Sequence, residues 1–224
     1  TDKFKSNIIA AFLLTDLEKD EITKNALIPA VLRRGTSKLQ TMKDIAMKMK
    51  DMYGALFDAS TDKIGDKQSM QFYISCIDNK YALENEELFL ESLNFLYDVI
   101  YSPKTVDGIF DEEYVAQEKE TLRELIKSKI NNKAAYANFR ALETMFKDDA
   151  YGIFKYGREE DLDGIDAENL YEQYIKVLSE SEKHFYIAGD VNIEKIKGFF
   201  YGKFGKSDFT EKKIIRTKKS KLSD

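Results

Sequence analysis

The sequence predicts an α+β domain, a mostly antiparallel sheet with helices packed on one of its faces. Strand-like and helix-like segments follow one another as β, α, α, β, β, three α, α, β, α, without the strict alternation that builds a parallel sheet. Two strand segments, over 55–62 and 67–77, are neighbours joined by a short turn containing Gly65, the layout of two antiparallel strands. With 224 residues, 43% of them apolar, the chain can bury a full core, as one large domain or as two small layers sharing one.

Residues 7–14 (NIIAAFLL) are a short apolar run bounded by polar residues, the pattern of a strand buried on both faces. Over 20–34 the pattern turns helical, with Ile22, Ala26, Ala30 and Arg33 on one stripe. Pro29 interrupts it, because proline lacks the amide donor and clashes with the carbonyl four residues back. The expectation is a kink, or two short helical pieces meeting near Leu27. Arg33, Arg34 and Gly35 end the segment, with cations at the negative pole and a glycine free to cap. Thr41-Met-Lys-Asp44 resembles a capping box with Asp for Glu and opens a helix to Tyr53, striped by Ile45, Met49 and Met52 as core filler. Gly54 closes it. The strand over 67–77 alternates Met70, Phe72, Ile74 and Cys76 with polar or small residues.

Three helices follow. The segment 85–101 is amphipathic through Leu88, Phe89, Leu93, Leu96 and Ile100 and stops at Ser102-Pro103. The segment 110–130 turns Tyr114, Leu122, Leu125 and Ile126 inward, and Asn131-Asn132 separates it from a helix over 134–146. A loop over 151–164, whose aromatic rings pack together, precedes a helix over 168–178. A strand over 184–188 then closes at Gly189-Asp190, and a last helix spans 193–204.

Composition narrows the function. A net charge of −5, mixed in sign along the chain, offers no broad basic field for nucleic acid; only the tail over 206–224 is locally basic, as a linker would be. No stretch approaches the ~18 continuous apolar residues of a membrane span, and no signal-peptide layout opens the chain. The single cysteine, Cys76, rules out an internal disulfide and points to a reducing, cytoplasmic setting. The missing initiator Met and the open end suggest a piece of a longer protein. Cys76 and the single His184 lie on separate strands with no third orienting group, so a nucleophilic dyad is disfavoured. A catalytic zinc needs three protein ligands, usually two of them imidazoles, which one histidine cannot supply. The acids Asp111, Glu112, Glu113, Glu118 and Glu120 read as a solvated helix face. Gly152 to Gly157 and Gly198, Gly202, Gly205 fit no phosphate-cradling motif.

Several landmarks carry a resemblance. They are Leu32-Arg-Arg-Gly35-Thr36, Met52-Tyr-Gly54, Phe57-Asp-Ala59-Ser60-Thr61 in place of the usual Asn-Ala-x-Thr, Ser102-Pro103 and Glu118-Lys119. Tyr151-Gly152, Tyr156-Gly157-Arg158-Glu159 and Ile187-Ala-Gly189-Asp190-Val191 follow. In order and spacing over 7–205 they resemble the pitrilysin and insulysin superfamily, which includes mitochondrial processing peptidases and bacterial zinc processing proteases. The resemblance implies a metalloprotease-like α+β domain over 1–205, with 206–224 as a linker to a missing C-terminal half. In that family two such halves pair, and two pairs close as a clamshell over an unfolded peptide.

In active members the eleven residues ending in Gly-Thr begin His-x-x-Glu-His. Counted back from Thr36, those positions are Ala26, Pro29 and Ala30, so both imidazoles and the general base are gone. The third ligand falls seven residues after Glu118, at Leu125, unless Glu124 substitutes by a register shift. The resemblance therefore implies a non-catalytic domain without a metal cofactor. Such chains commonly accompany a catalytic one, so the implied partners are the C-terminal half and a homologous catalytic subunit or homodimer. The family's peptide-binding edge, carried over, is Leu56, Phe57, Asp58, Ala59 and Ser60, where a peptide adds as a strand. Two other readings stay open: an active zinc peptidase whose ligands lie outside this stretch, and an assembly module without peptide affinity.

Overall fold

In the computed structural model, which describes residues 3–84, 86–147 and 149–205, four strands pair into one antiparallel sheet. They are β1 (Ser6–Asp16), β2 (Leu56–Ile64), β3 (Lys67–Ile77) and β4 (Glu182–Ala188), in the order β2-β3-β1-β4. The helices α1 (Ile22–Leu32), α2 (Met42–Asp51), α3 (Leu88–Tyr101), α4 (Glu112–Ser128), α5 (Lys133–Met145) and α6 (Ala167–Glu180) complete the first of two units, Thr1–Asp190. The fold class is the α+β arrangement the sequence predicts. The second unit, Val191–Asp224, contributes α7 (Ile193–Phe204), capped by the Asn192 side chain, which accepts from the amides of Glu194 and Lys195. The basic tail over 206–224 lies outside the described residues.

β1 and β3 align Asn7, Ile9, Ala11 and Leu13 opposite Cys76, Ile74, Phe72 and Met70, and all eight are buried. This is the face against which α1, α3 and α6 pack. The other row of β1, Ile8, Ala10, Phe12 and Leu14, is only half-buried, so the expected burial on both faces is not met within the first unit. The hairpin turns through Gly65 and Asp66. A positive φ of 58° at Gly65 matches a type II′ turn, which follows the twist of the strands it joins.

α1 runs as one helix through Pro29, so of the two expected outcomes, a kink or two short pieces, the second is not met. A proline in a helix interior costs about 3 kcal/mol. Here Ile22, Leu27, Ile28 and Leu32 are fully buried, each worth about 1.5–3 kcal/mol, which outweighs the lost backbone bond. Side chains also grip the backbone: Gln68 Nε2 donates to the Ile22 carbonyl at 2.9 Å and Thr61 Oγ1 to that of Ala26 at 3.4 Å. On the other flank Gln173 Nε2 donates to Asn25 Oδ1 at 2.8 Å and to Glu21 Oε2 at 3.0 Å.

α2 starts at the expected capping box: Thr41 Oγ1 accepts from the Asp44 amide at 3.1 Å, and Asp44 Oδ2 accepts from the Thr41 amide at 2.9 Å. α3 and α6 meet over an aromatic core in which Tyr174 donates to the Ile100 carbonyl at 2.9 Å. Burial, helped by neighbouring tyrosines, lifts the Tyr101 phenol to about 12 and that of Tyr174 higher still. Both folded values exceed the ordinary one near 10, so the stability they hold is full below about pH 10 and is lost as pH rises further. Urea unfolding followed upward from about pH 9 should lose up to about 1.4 kcal/mol per pH unit for each tyrosine, and Tyr174→Phe should shallow the slope.

Candidate functional site

The turn of α1 that would carry metal ligands is intact, so positions 26, 29 and 30 do share a face; the expected break at Pro29 is absent. What is missing is donor chemistry. Ala26 is 5% exposed and packed beside Thr61 of β2, Pro29 is buried, and Ala30 is half-buried. On α4, Leu125 is turned outward, 42% exposed, contrary to its expected inward placement. Glu124 is exposed and lies 3.9 Å from Lys127, so no register shift aims it at α1. Among the described residues, no three His, Cys, Asp or Glu side chains are grouped to hold a metal ion. Two methyl groups, a pyrrolidine ring and an isobutyl group do not fit the three-ligand set of a catalytic zinc.

Glu118 is a correction of another kind. It is not on a solvated face: its side chain is 4% exposed, and Oε1 accepts from Arg34 Nε at 2.5 Å. The pair fastens the end of α1 to the middle of α4. Arg34 also stands 5.5 Å over the Tyr114 ring, which Lys104 approaches at 4.2 Å while holding Asp111 at 2.8 Å. The sequence carried a signal for this burial, since Glu118 falls in register with the apolar stripe Val115, Leu122 and Ile126.

At the other end of α1, the stretch over 151–164 forms a strap. Thr23 Oγ1 donates to Asp161 Oδ2 at 2.7 Å and accepts from the Arg158 amide at 3.1 Å, and Gly157 presses against Thr23 with φ at 79°. Lys63, near the end of β2, donates to the carbonyls of Tyr151 at 2.6 Å and Ile153 at 3.0 Å, and burial lowers its pKa. The rings pack as the sequence suggested, Phe139 on Phe154 and Phe146 on Tyr151.

β2 is an edge strand, paired through β3 alone in the four-stranded sheet. Leu56, 68% exposed, shares with Asp58 and Ser60 the face opposite α1, α3 and α6, while Phe57 and Ala59 face those helices, Phe57 against Phe95 at 4.9 Å. A two-residue turn makes Ile64 and Lys67 a bonded pair, and bonding alternates from there. The backbone groups of Leu56, Asp58 and Ser60 therefore point to β3, and those of Phe57, Ala59 and Thr61 point outward. Cys76 and His184 stand on opposite faces of the sheet, which removes the dyad as a geometry. Burial pushes the Cys76 thiol up, against a hydrogen bond with Ser92 that lowers it.

This fold is that of metalloprotease-like proteins. A conserved protein from Enterococcus faecalis superposes with a TM-score of 0.84 at 23% identity, covering 89% of this chain and 47% of that one. A protease from Helicobacter pylori superposes at 0.67 with 13% identity over 96% of this chain and 48% of its own. In sequence, the chain is 32% identical over 197 residues to the probable inactive metalloprotease YmfF of Bacillus subtilis, covering 88% of this chain and 46% of YmfF. The chain thus spans about half the length of the curated relative it matches, and the likeness supports the superfamily its landmarks resemble. No family model matches the chain. No helix among the described residues is long and apolar enough to cross a membrane.

Proposed function

We propose that this chain is a non-catalytic zinc-protease-like domain that holds an extended peptide along the edge of β2, as one wall of a chamber that a second domain completes. The observation that carries the proposal is the filling of the metal positions by Ala26, Pro29 and Ala30 on a continuous, enclosed helix turn. Hydrolysis would need two imidazoles, a carboxylate base and a third ligand, none of which these positions provide. What survives is the edge of β2 that no other strand pairs among the described residues: the outward amide and carbonyl of Phe57, at the less covered end, can pair with a peptide backbone, whereas Thr61, 3% exposed, is covered. The second domain would be a C-terminal half of the same polypeptide, or a homologous subunit or second copy, in keeping with relatives about twice as long. One buried cysteine suits a cytoplasmic setting.

One preparation tests this. Purified protein equilibrated with zinc and passed through a desalting column should retain no stoichiometric metal; one tightly held zinc per chain would overturn the inactive assignment. Fluorescence anisotropy with unstructured peptides of roughly 15–30 residues should show binding that methylation of alternate peptide amides weakens at least tenfold, since those amides form the added strand. Equal binding by the methylated peptide would exclude the edge.

A further inference from the structure

Phe139 and Phe146, on and just past α5, are only half-buried, because the space beside them is open. That space is a cleft of about 650 Å³ between the end of α4, α5 and the strap over 151–164, within the usual range of small-molecule sites, roughly 300–1,000 Å³. Its apolar wall is made of rings. Phe154 of the strap meets Phe139 edge to face at 5.3 Å, and Phe146 rests on Tyr151 at 4.9 Å.

One cation reaches into this wall. Lys129, directly after α4, places Nζ 4.7 Å from the centroid of Phe139 and 5.5 Å from that of Phe154. Ring faces stabilise an ammonium but accept no ordinary hydrogen bond, so its N–H donors stay open; among the described residues neither a carboxylate nor a carbonyl takes one. Arg158 adds a second cation at the rim: its backbone amide donates to Thr23, and its guanidinium has no partner among the described residues. The carboxylates that line the cleft do not neutralise these two. Glu143 pairs with Arg140 at 3.1 Å, Glu159 with Lys127 at 3.3 Å, and Asp149 accepts from the Tyr151 amide at 2.7 Å. Glu160 is exposed at the mouth.

We propose that this cleft binds a monocarboxylate with an apolar body, about the size of an aromatic amino acid. The carboxylate would accept charge-assisted hydrogen bonds from Lys129 Nζ, with Arg158 supplying a second positive charge, and the body would cover the rings of Phe146 and Phe154. A cationic ligand is repelled by Lys129, and a second negative charge on the ligand meets Glu160. A free small acid and the C-terminal residue of a peptide share this chemistry, and neither depends on the edge of β2.

Calorimetric titration of the purified chain tests it. N-acetyl-phenylalanine should bind with a Kd below about 1 mM, and at least ~10-fold more tightly than its neutral amide. Lys129→Met, which keeps the length of the stem, should bring the acid down to the level of the amide. If that variant fails to fold, Arg158→Gln, at an exposed position, should weaken the acid about threefold or more. Acid and amide binding alike, no binding up to about 1 mM, or an acid indifferent to the folded variant overturns the proposal. A short peptide ending in Phe, with a free or an amidated C-terminus, identifies the source. Binding by the free-ended form alone makes the ligand a chain end, and failure of both forms beside binding of the acid makes it a free small molecule; pairing on the edge of β2 would not tell the two forms apart.

Discussion

Replacing Arg34 with methionine should cost about 3–5 kcal/mol of folding stability, the loss that follows when one member of a buried ion pair is removed and the other stays charged. Glu118 would be the stranded partner, because its side chain is 4% exposed and its Oε1 accepts from Arg34 Nε at 2.5 Å. Glu118→Leu alone should cost less, since Arg34, 18% exposed, can turn toward water and keep its place over the Tyr114 ring. The double variant Arg34→Met, Glu118→Leu should recover most of the loss, because two apolar groups of similar volume substitute for the pair without leaving a charge behind. Urea unfolding of the four proteins forms a double-mutant cycle whose coupling term reads the pair directly. A single Arg34→Met costing less than about 1 kcal/mol would mean that the pair is solvated and holds nothing together.

Gly157→Ala should be nearly as damaging, for a steric reason. A Cβ at this position would lie 1.9 Å from Thr23 Oγ1 and 2.7 Å from Thr23 Cα, and the backbone φ of 79° already disfavours an L side chain. The strap over 151–164 would have to lift off the start of α1, breaking the Thr23–Asp161 and Arg158–Thr23 hydrogen bonds. A loss of about 2–4 kcal/mol is expected, with faster limited proteolysis within the strap. Thr23→Ala should not rescue it, because the clash with Cα remains; full rescue would locate the strain elsewhere.

These sites also mark how far the sequence could be read. Elements with an undisturbed period were legible: the alternation of Met70, Phe72, Ile74 and Cys76 gave β3, and Thr41 with Asp44 gave the start of α2. Local rules failed where tertiary packing overrides them. Proline lowers the helix propensity of α1 in isolation, but the packing around Ile22, Leu27 and Ile28 holds the helix together. The charge of Glu118 suggested solvent, although its place on the apolar stripe of α4 put it inside. Leu125 erred in the opposite sense, an apolar residue just off that stripe. The four residues Ile8, Ala10, Phe12 and Leu14 pointed to a layer on both sides of β1, of which the first unit supplies one. Of the candidate site, the lost ligands were plain from residue types alone, and the edge position of β2 needed the strand order, which no single-strand pattern contains.

The enclosure of α1 works against a zinc ligand at position 26. Regaining an imidazole at position 26 means placing a ring where the wild-type methyl is 5% exposed and closed in beside Thr61. Inserting that much volume into a packed interior typically costs about 1–3 kcal/mol, and one restored ligand without the other two returns no chemistry to offset it. Under the proposed function, an imidazole restored singly at position 26 would cost stability without returning activity, so the packing of α1 would hold the domain in its non-catalytic state.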